Sequence, residues 1–252
     1  MSGSELPPRV TTRRSKLIML GSSNVGKTSL ILRFIHGQFS PSLQSTIGSA
    51  YVTKSIPVSS SENLVLDLWD TAGQERFRAM NMSLYYRSAD AAVLVYDVTD
   101  RSTFEELGPW LTELRRAMGV PAEGVPAGGP REELGYRRNG LVVALAGNKV
   151  DLTTGTVSTG IRGEDLSLPP TNQRQVSTKE GKELAEKEGM LFFETSAKID
   201  GDAGAEKLFE DVVFWCNVKS EREAGARGIA GGGKGSQPVE LQMPAGSGGC
   251  CG

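Results

Sequence analysis

Histidine is all but absent from this chain, with His36 alone among 252 residues, and cysteine is scarce, with Cys216, Cys250 and Cys251. One imidazole and three scattered thiols supply neither the clustered ligands of a zinc site nor a disulfide framework. Neither sign of charge dominates: 28 Lys and Arg stand against 30 Asp and Glu, a formal net charge of -2. No whole-molecule field therefore draws nucleic acid, and an anion site must be local. Long apolar runs are missing as well. The longest, Ala91 to Val95 and Leu141 to Ala146, fall far short of the roughly 18 residues that span a bilayer. The N-terminus carries Pro7-Pro8 and Arg13-Arg14 without the apolar segment and small-residue cleavage site of a secretion signal.

Short apolar runs alternate with amphipathic stretches along the chain. Strands are expected at Leu17–Leu20, Ala50–Val58, Leu64–Trp69, Ala91–Tyr96, Leu141–Ala146 and Leu191–Glu194, and helices at Lys27–Phe34, Thr103–Met118, Thr178–Glu188 and Ala203–Lys219. This rhythm predicts a doubly wound α/β domain in one piece over residues 16–219. Residues 1–15 read as a flexible arm. Residues 119–140 and 153–174 have the Pro and Gly content of long loops. Residues 220–252, rich in Gly and Ser and almost without aromatics, read as a disordered tail ending in Cys-Cys-Gly.

Directly after the first strand stands Gly21-Ser22-Ser23-Asn24-Val25-Gly26-Lys27-Thr28, the G-x-x-x-x-G-K-[ST] phosphate-binding loop. Its glycines let successive backbone N–H groups turn inward, the following helix adds its positive end, and Lys27 places a cation on the outer phosphates. Ser23, Asn24, Val25, Gly26, Lys27, Thr28 and Ser29 are the phosphate-binding candidates, with the Thr28 hydroxyl directed to Mg²⁺. This loop alone leaves ATPase, kinase and GTPase open. The strand Val65 to Trp69 then delivers Asp70, followed by Thr71-Ala72-Gly73-Gln74-Glu75. An aspartate in that place holds Mg²⁺ through water, Gly73 can offer its N–H to the γ-phosphate, and Gln74 can orient the attacking water as the catalytic residue.

Asn148-Lys149-Val150-Asp151 closes another apolar strand. Guanine presents a ring N1–H and an exocyclic amine that one carboxylate accepts together, and adenine lacks that pair, so Asp151 selects guanine. Asn148 can bond the base and tie neighbouring loops, and the stem of Lys149 can cover the ring face. Glu194-Thr195-Ser196-Ala197-Lys198 adds backbone N–H groups at Ser196 and Ala197 for the guanine oxygen, and Lys198 to stack.

In this ordered series, and in Trp69-Asp70-Thr71-Ala72-Gly73-Gln74-Glu75-Arg76-Phe77, Tyr85-Tyr86-Arg87 and the terminal Cys-Cys-Gly, the chain resembles the Rab branch of the Ras superfamily. Ser45 to Tyr51 and Phe192 to Lys198 are similar to the early-endosomal branch, with its fungal vacuolar-pathway members. The resemblance implies a P-loop NTPase α/β fold, a three-layer α/β/α domain with a six-stranded mixed sheet whose second strand is the one antiparallel edge, and a small GTPase that hydrolyses GTP to GDP with Mg²⁺. It implies that Thr46 closes on Mg²⁺ and the γ-phosphate, that Phe39 packs edge-on to guanine, and that Tyr51, Trp69 and Tyr85 form an aromatic effector triad. Implied partners are exchange factors, activating proteins, effectors, a GDP-dissociation inhibitor and the Rab escort and geranylgeranyl transferase machinery that would lipidate Cys250 and Cys251. The implied location is the cytoplasmic face of endosomal or vacuolar-pathway membranes, with a cytosolic inhibitor-bound pool. A similar switch on another compartment and a nucleotide-binding scaffold with negligible hydrolysis are the alternatives.

The chain departs from the pattern in three places. Tyr51 stands where the triad usually has phenylalanine, the stretch from Gln74 to Tyr85-Tyr86-Arg87 is longer by about one residue, and the two long loops have no counterpart in the minimal domain.

Overall fold

Strands that are apolar or small almost to their last residue have no polar face to offer water, and β4 (Ala91–Asp97) and β5 (Val142–Asn148), each polar only at its end, are buried along all seven residues each. The computed structural model describes residues 11–43, 46, 49–59, 61–71, 85–118, 141–153, 156–157, 166–167 and 174–230. Around β4 and β5 lie β1 (Thr11–Leu20), β2 (Ser49–Ser59), β3 (Glu62–Thr71) and β8 (Leu191–Glu194), in the sheet order β2-β3-β1-β4-β5-β8. Within this sheet, among the described residues, the β2–β3 pair alone is antiparallel, and β2 is the edge.

Helices cover both faces. On one side, α1 (Lys27–His36) and α5 (Ala205–Ala230) bury Leu30, Phe34, Leu208, Phe209 and Val212 against the sheet. Phe34 and Phe209 stack at 4.4 Å between ring centroids, and truncating such a ring costs about 3–5 kcal/mol. On the other side, α2 (Arg101–Glu105), α3 (Leu107–Met118) and α4 (Thr178–Glu188) supply Leu107, Trp110, Leu114 and Ala185. These are the three layers expected.

The chain leaves β1 for β2 and β3 on one flank and returns through β4 on the other, so the crevice beyond the C-terminal ends of the strands opens at β1. The turn after β1, the end of β3 at Asp70, the end of β4 at Asp97, the end of β5 at Asn148 and the turn after β8 all meet there.

Four boundaries differ from the sequence reading. Of the flexible arm expected over residues 1–15, Thr11–Ser15 belong instead to β1, which pairs Thr11–Lys16 with Glu62–Asp67; these polar residues join the sheet through backbone bonds that hydropathy does not register, and residues 1–10 lie outside the described residues. The helix expected over Thr103–Met118 is divided at Glu106, where Gly108 and Pro109 follow. Pro109 cannot donate to the carbonyl four residues back, so it is tolerated only in the first turn of a fresh helix. Of the disordered tail expected over residues 220–252, residues 220–230 belong instead to α5, which runs through Glu221, Ala224 and Arg227, good helix formers, to Ala230. Finally, residues 153–174 hold a two-stranded hairpin, β6 (Thr156–Val157) with β7 (Leu166–Ser167). Residues 119–140 and 231–252 lie outside the described residues.

Candidate functional site

Gly21 and Gly26 set the loop after β1. Both sit at positive φ, 131° and 96°, and a Cβ on Gly21 would lie 2.2 Å from the Val95 carbonyl oxygen. Only glycine lets the backbone turn so tightly beside β4. Between them Asn24 also takes a left-handed conformation at φ 64°. Val25 turns its side chain into the core, fully buried, while its carbonyl accepts a hydrogen bond from Asn148 Nδ2 at 2.7 Å.

Lys27, the first residue of α1, folds back across this loop and donates to the carbonyls of Gly21 at 2.8 Å and Ser22 at 2.7 Å. Burial pushes its ammonium pKa down to about 8, partly countered by Asp70. A buried cation that donates only to carbonyls is placed to take an anion. Thr28 follows on the same helix. Its hydroxyl donates to Asp70 Oδ2 at 2.6 Å and lies 2.7 Å from the Thr46 hydroxyl, which in turn reaches Asp70 Oδ2 at 3.2 Å. Burial raises the Asp70 pKa, while Thr28, Lys27 and Thr46 oppose the rise. Asp70 Oδ1 is buried with no hydrogen-bond partner. Two hydroxyls and a carboxylate, all hard oxygen donors with one orphaned oxygen among them, fit a hydrated Mg²⁺.

A few ångströms along the crevice, Lys149 adopts φ 68° and begins the 3-10 turn Val150–Leu152. This turn directs Asp151 toward the loop after β8, where Ser196 Oγ donates to Asp151 Oδ1 at 2.6 Å and Lys198 Nζ stands 4.0 Å from Asp151 Oδ2. Asn148 Oδ1, beside them, is buried without a partner.

One cleft of about 420 Å³ joins these groups. Ser23, Asn24, Gly26, Lys27, Thr28, Ser29 and Thr46 line one end, and Asn148, Lys149, Asp151, Ser196, Ala197 and Lys198 the other, with Phe39 at the mouth. Val25 and Asp70 stand behind the wall rather than in it. Gly73 and Gln74 lie outside the described residues, as do Cys250 and Cys251. The reading of the sequence missed Leu43, 40% exposed at the cleft, and Thr71, whose hydroxyl ties the end of β3 to the Met19 carbonyl at 2.6 Å. It also missed Asp97, although an acid at the end of an apolar strand on the ligand edge is the signal that singled out Asp70.

Away from the cleft the three aromatics adjoin one another. Tyr51 and Trp69 lie 5.1 Å apart and tilted, and Trp69 meets Tyr85 edge-on at 5.8 Å. The Tyr51 hydroxyl, which phenylalanine would lack, donates to Asp67 Oδ1 at 2.9 Å and accepts from Arg14 Nη2 at 2.9 Å.

A glycine-turned loop at the switch point of an α/β sheet, with carboxylates at the strand ends on either side of it, defines a P-loop nucleotide hydrolase. The Ras family model matches residues 16–216. Similar proteins include the GTP-binding protein ypt5 of Schizosaccharomyces pombe, 35% identical over 198 residues that cover 79% of this chain and 76% of that protein. The GTP-binding protein YPT52 of Saccharomyces cerevisiae is 32% identical over 241 residues, 91% of this chain and 94% of the relative. The Ras-related protein Rab-5A of Dictyostelium discoideum is 37% identical over 198 residues, 79% of this chain and 78% of its own. The chain belongs to the Ras family. It is a Rab-like small GTPase of vesicle trafficking that hydrolyses GTP, works with exchange factors, activating proteins and effectors, and serves membrane-associated compartments.

Proposed function

We propose that the chain is a Mg²⁺-dependent guanine-nucleotide switch of endosomal or vacuolar-pathway membranes. The observation that carries the metal dependence is the cluster of Thr28 Oγ1, Thr46 Oγ1 and Asp70 Oδ2, all within 3.2 Å of one another beside the Lys27 ammonium. Thr28 and Thr46 would hold the ion through their hydroxyls and Asp70 through water; bound there, it neutralises charge on the outer phosphates. The backbone of Ser23 to Ser29 and the Lys27 ammonium cradle the phosphates. Thr46 and the Gly73 N–H grip the γ-phosphate, Gln74 orients the attacking water, and losing that phosphate releases both segments. Leu43-Gln44-Ser45 offers no arginine to the reacting phosphate, so intrinsic turnover is on the order of 10⁻⁴ per second until an activating protein supplies one.

At the other end of the cleft Asp151 reads guanine and the Ala197 N–H approaches its oxygen, whereas the Ser196 N–H expected to join it is already given to the Ala203 carbonyl at 2.7 Å and Ser196 serves through its hydroxyl on Asp151; Lys149 and Lys198 cover the faces of the base, and Phe39 closes on its edge. Tyr51, Trp69 and Tyr85 form the surface that effectors touch. Geranylgeranyl chains on Cys250 and Cys251, added by the escort and transferase machinery, anchor the protein, and a GDP-dissociation inhibitor holds its cytosolic pool. The likeness to the ypt5, YPT52 and Rab-5A proteins supports the endosomal reading.

Release of a fluorescent GDP from the full chain, with and without excess chelator, tests the metal dependence. Chelation accelerates release at least about tenfold if oxygen ligands and phosphates share the ion, and equal rates would refute it. Imaging the tagged chain against endosome, Golgi and vacuole markers tests the compartment.

A further inference from the structure

Asp97 ends the central strand β4 directly beside Asn148 in register, and it is 7% exposed. Its two carboxylate oxygens have separate tasks. Oδ1 accepts from the Thr99 N–H at 2.8 Å and the Thr99 hydroxyl at 2.7 Å. Oδ2 pairs with Lys149 Nζ at 2.6 Å. The Asp97 N–H is itself held by the buried Thr103 hydroxyl at 3.0 Å, and the next N–H, of Val98, donates to the Asn148 carbonyl at 3.1 Å. A carboxylate fixed on this many sides cannot swing to another partner.

Lys149 needs such a partner. It occupies a left-handed conformation, φ 68° and ψ 32°, that a lysine rarely adopts, and it opens the turn on which Asp151 stands. A lysine stem is four flexible carbons ending in a strongly hydrated charge, so the stem lies flat along a wall only if the ammonium is pinned at its far end. Among the described residues the ion pair that pins it is the one with Asp97.

We infer that Asp97 is a positioning residue for guanine recognition, acting through Lys149: it fixes the ammonium so that the stem covers the ring, and it braces the turn that carries Asp151. The inference rests on Lys149 covering the guanine face, as proposed above. The base is common to GDP and GTP, so a loss at Asp97 speeds release of both by the same factor. A loss at the phosphate end, where the two nucleotides differ, does not have this signature.

The test measures release of methylanthraniloyl-labelled GDP and of a labelled non-hydrolysable GTP analogue from the full chain in five forms: wild type, Asp97→Ala, Asp97→Asn, Lys149→Met, and Lys149→Met combined with Asp97→Asn. Lys149→Met keeps the apolar stem and removes the ammonium. Asp97→Asn, which keeps the volume and the Thr99 contacts, is expected to speed both releases about tenfold, the size of coupling found between contacting residues. Asp97→Ala acts more strongly, and if it does not fold the asparagine variant carries the test alone. In the Lys149→Met background, Asp97→Asn adds less than about twofold, since the interaction it would remove is already gone. Unchanged release from Asp97→Asn beside faster release from Lys149→Met overturns the inference and leaves the reading of Lys149 standing. Equal acceleration by Asp97→Asn in both backgrounds also overturns it, because Asp97 would then act through another group. Unchanged release from Lys149→Met overturns the reading of Lys149 on which the inference rests.

Discussion

The side-chain amide of Asn148 fills the space that any β-carbon on Gly26 would need: a Cβ there would lie 2.3 Å from Asn148 Nδ2. The same nitrogen donates to the Val25 carbonyl at 2.7 Å, so the loop after β1, proposed to wrap phosphate, and the turn after β5, proposed to read the base, are joined by one hydrogen bond. Nucleotide contacts at the two ends of the cleft are therefore set by a shared contact.

Gly26→Ala breaks this junction. The methyl group must displace Asn148 and also holds φ near 96°, a region L-residues avoid. Together the overpacking and the backbone strain predict a loss of nucleotide affinity on the order of a hundredfold, for GDP and GTP alike. Calorimetric titration of both nucleotides into refolded apoprotein checks this. A loss confined to GTP would mean that only the phosphate end had moved.

Thr28→Asn replaces the hydroxyl that lies between Thr46 and Asp70. The lost oxygen matters most where a third phosphate must be neutralised, so the ratio of GTP to GDP affinity falls by about tenfold or more. Competition between the two nucleotides for the variant measures that ratio, and an unchanged value would remove Thr28 from the metal site.

Much of this was legible in the sequence because phosphate loops, strand-end acids and burial all leave local marks. The helix Thr178–Glu188 is read to the residue, since Ser177 and Glu180 close a reciprocal cap at one end and Gly189 stops the other. The cleft residues from Ser23 to Ser29, and Asn148, Lys149 and Asp151, are likewise contiguous motifs. What was hidden depends on pairing between distant segments. Thr11–Lys16 becomes a strand only because β3 lies alongside. The break at Glu106 follows from Pro109, a local mark overridden by the apolar periodicity around it. Asp97 belongs to no motif, and its task emerges only when Lys149 is brought to within 2.6 Å.

Glu180 gives the fold a pH signature. Its exposed carboxylate accepts from Arg101 and from the Ser177 N–H and hydroxyl, which hold its pKa at about 2, below the ordinary 4.5. A depressed carboxylate contributes stability that is present above pH 4.5 and lost as pH falls toward 2. Glu180→Gln should therefore lower Tm at pH 7 and make little difference near pH 2. Thermal unfolding of both proteins at the two pH values decides this, and an equal Tm difference at both would show that the charge is not what matters.

Cys250 and Cys251 are expected to carry one prenyl chain each. Beyond Ser220 the chain carries Arg222, Arg227 and Lys234 against Glu221, Glu223 and Glu240, with no basic excess to assist one chain, and stable anchoring then takes a second. Replacing both cysteines by serine moves the protein to the cytosol with nucleotide binding intact. Mass spectrometry of membrane-extracted protein with two free thiols would overturn the assignment.

The central claim is that this cleft recognises guanine through Asp151, held by Ser196 Oγ at 2.6 Å with Lys198 nearby. The most direct measurement is the affinity of Asp151→Asn for guanosine and xanthosine diphosphates. An amide can donate to the oxygen that xanthine carries in place of the guanine amine, and it no longer accepts both guanine donors. The account predicts that preference reverses, with guanosine binding falling by two or more orders of magnitude, roughly the cost of unpaired polar groups in a base pocket. A variant that still binds guanosine diphosphate better than xanthosine diphosphate would contradict it.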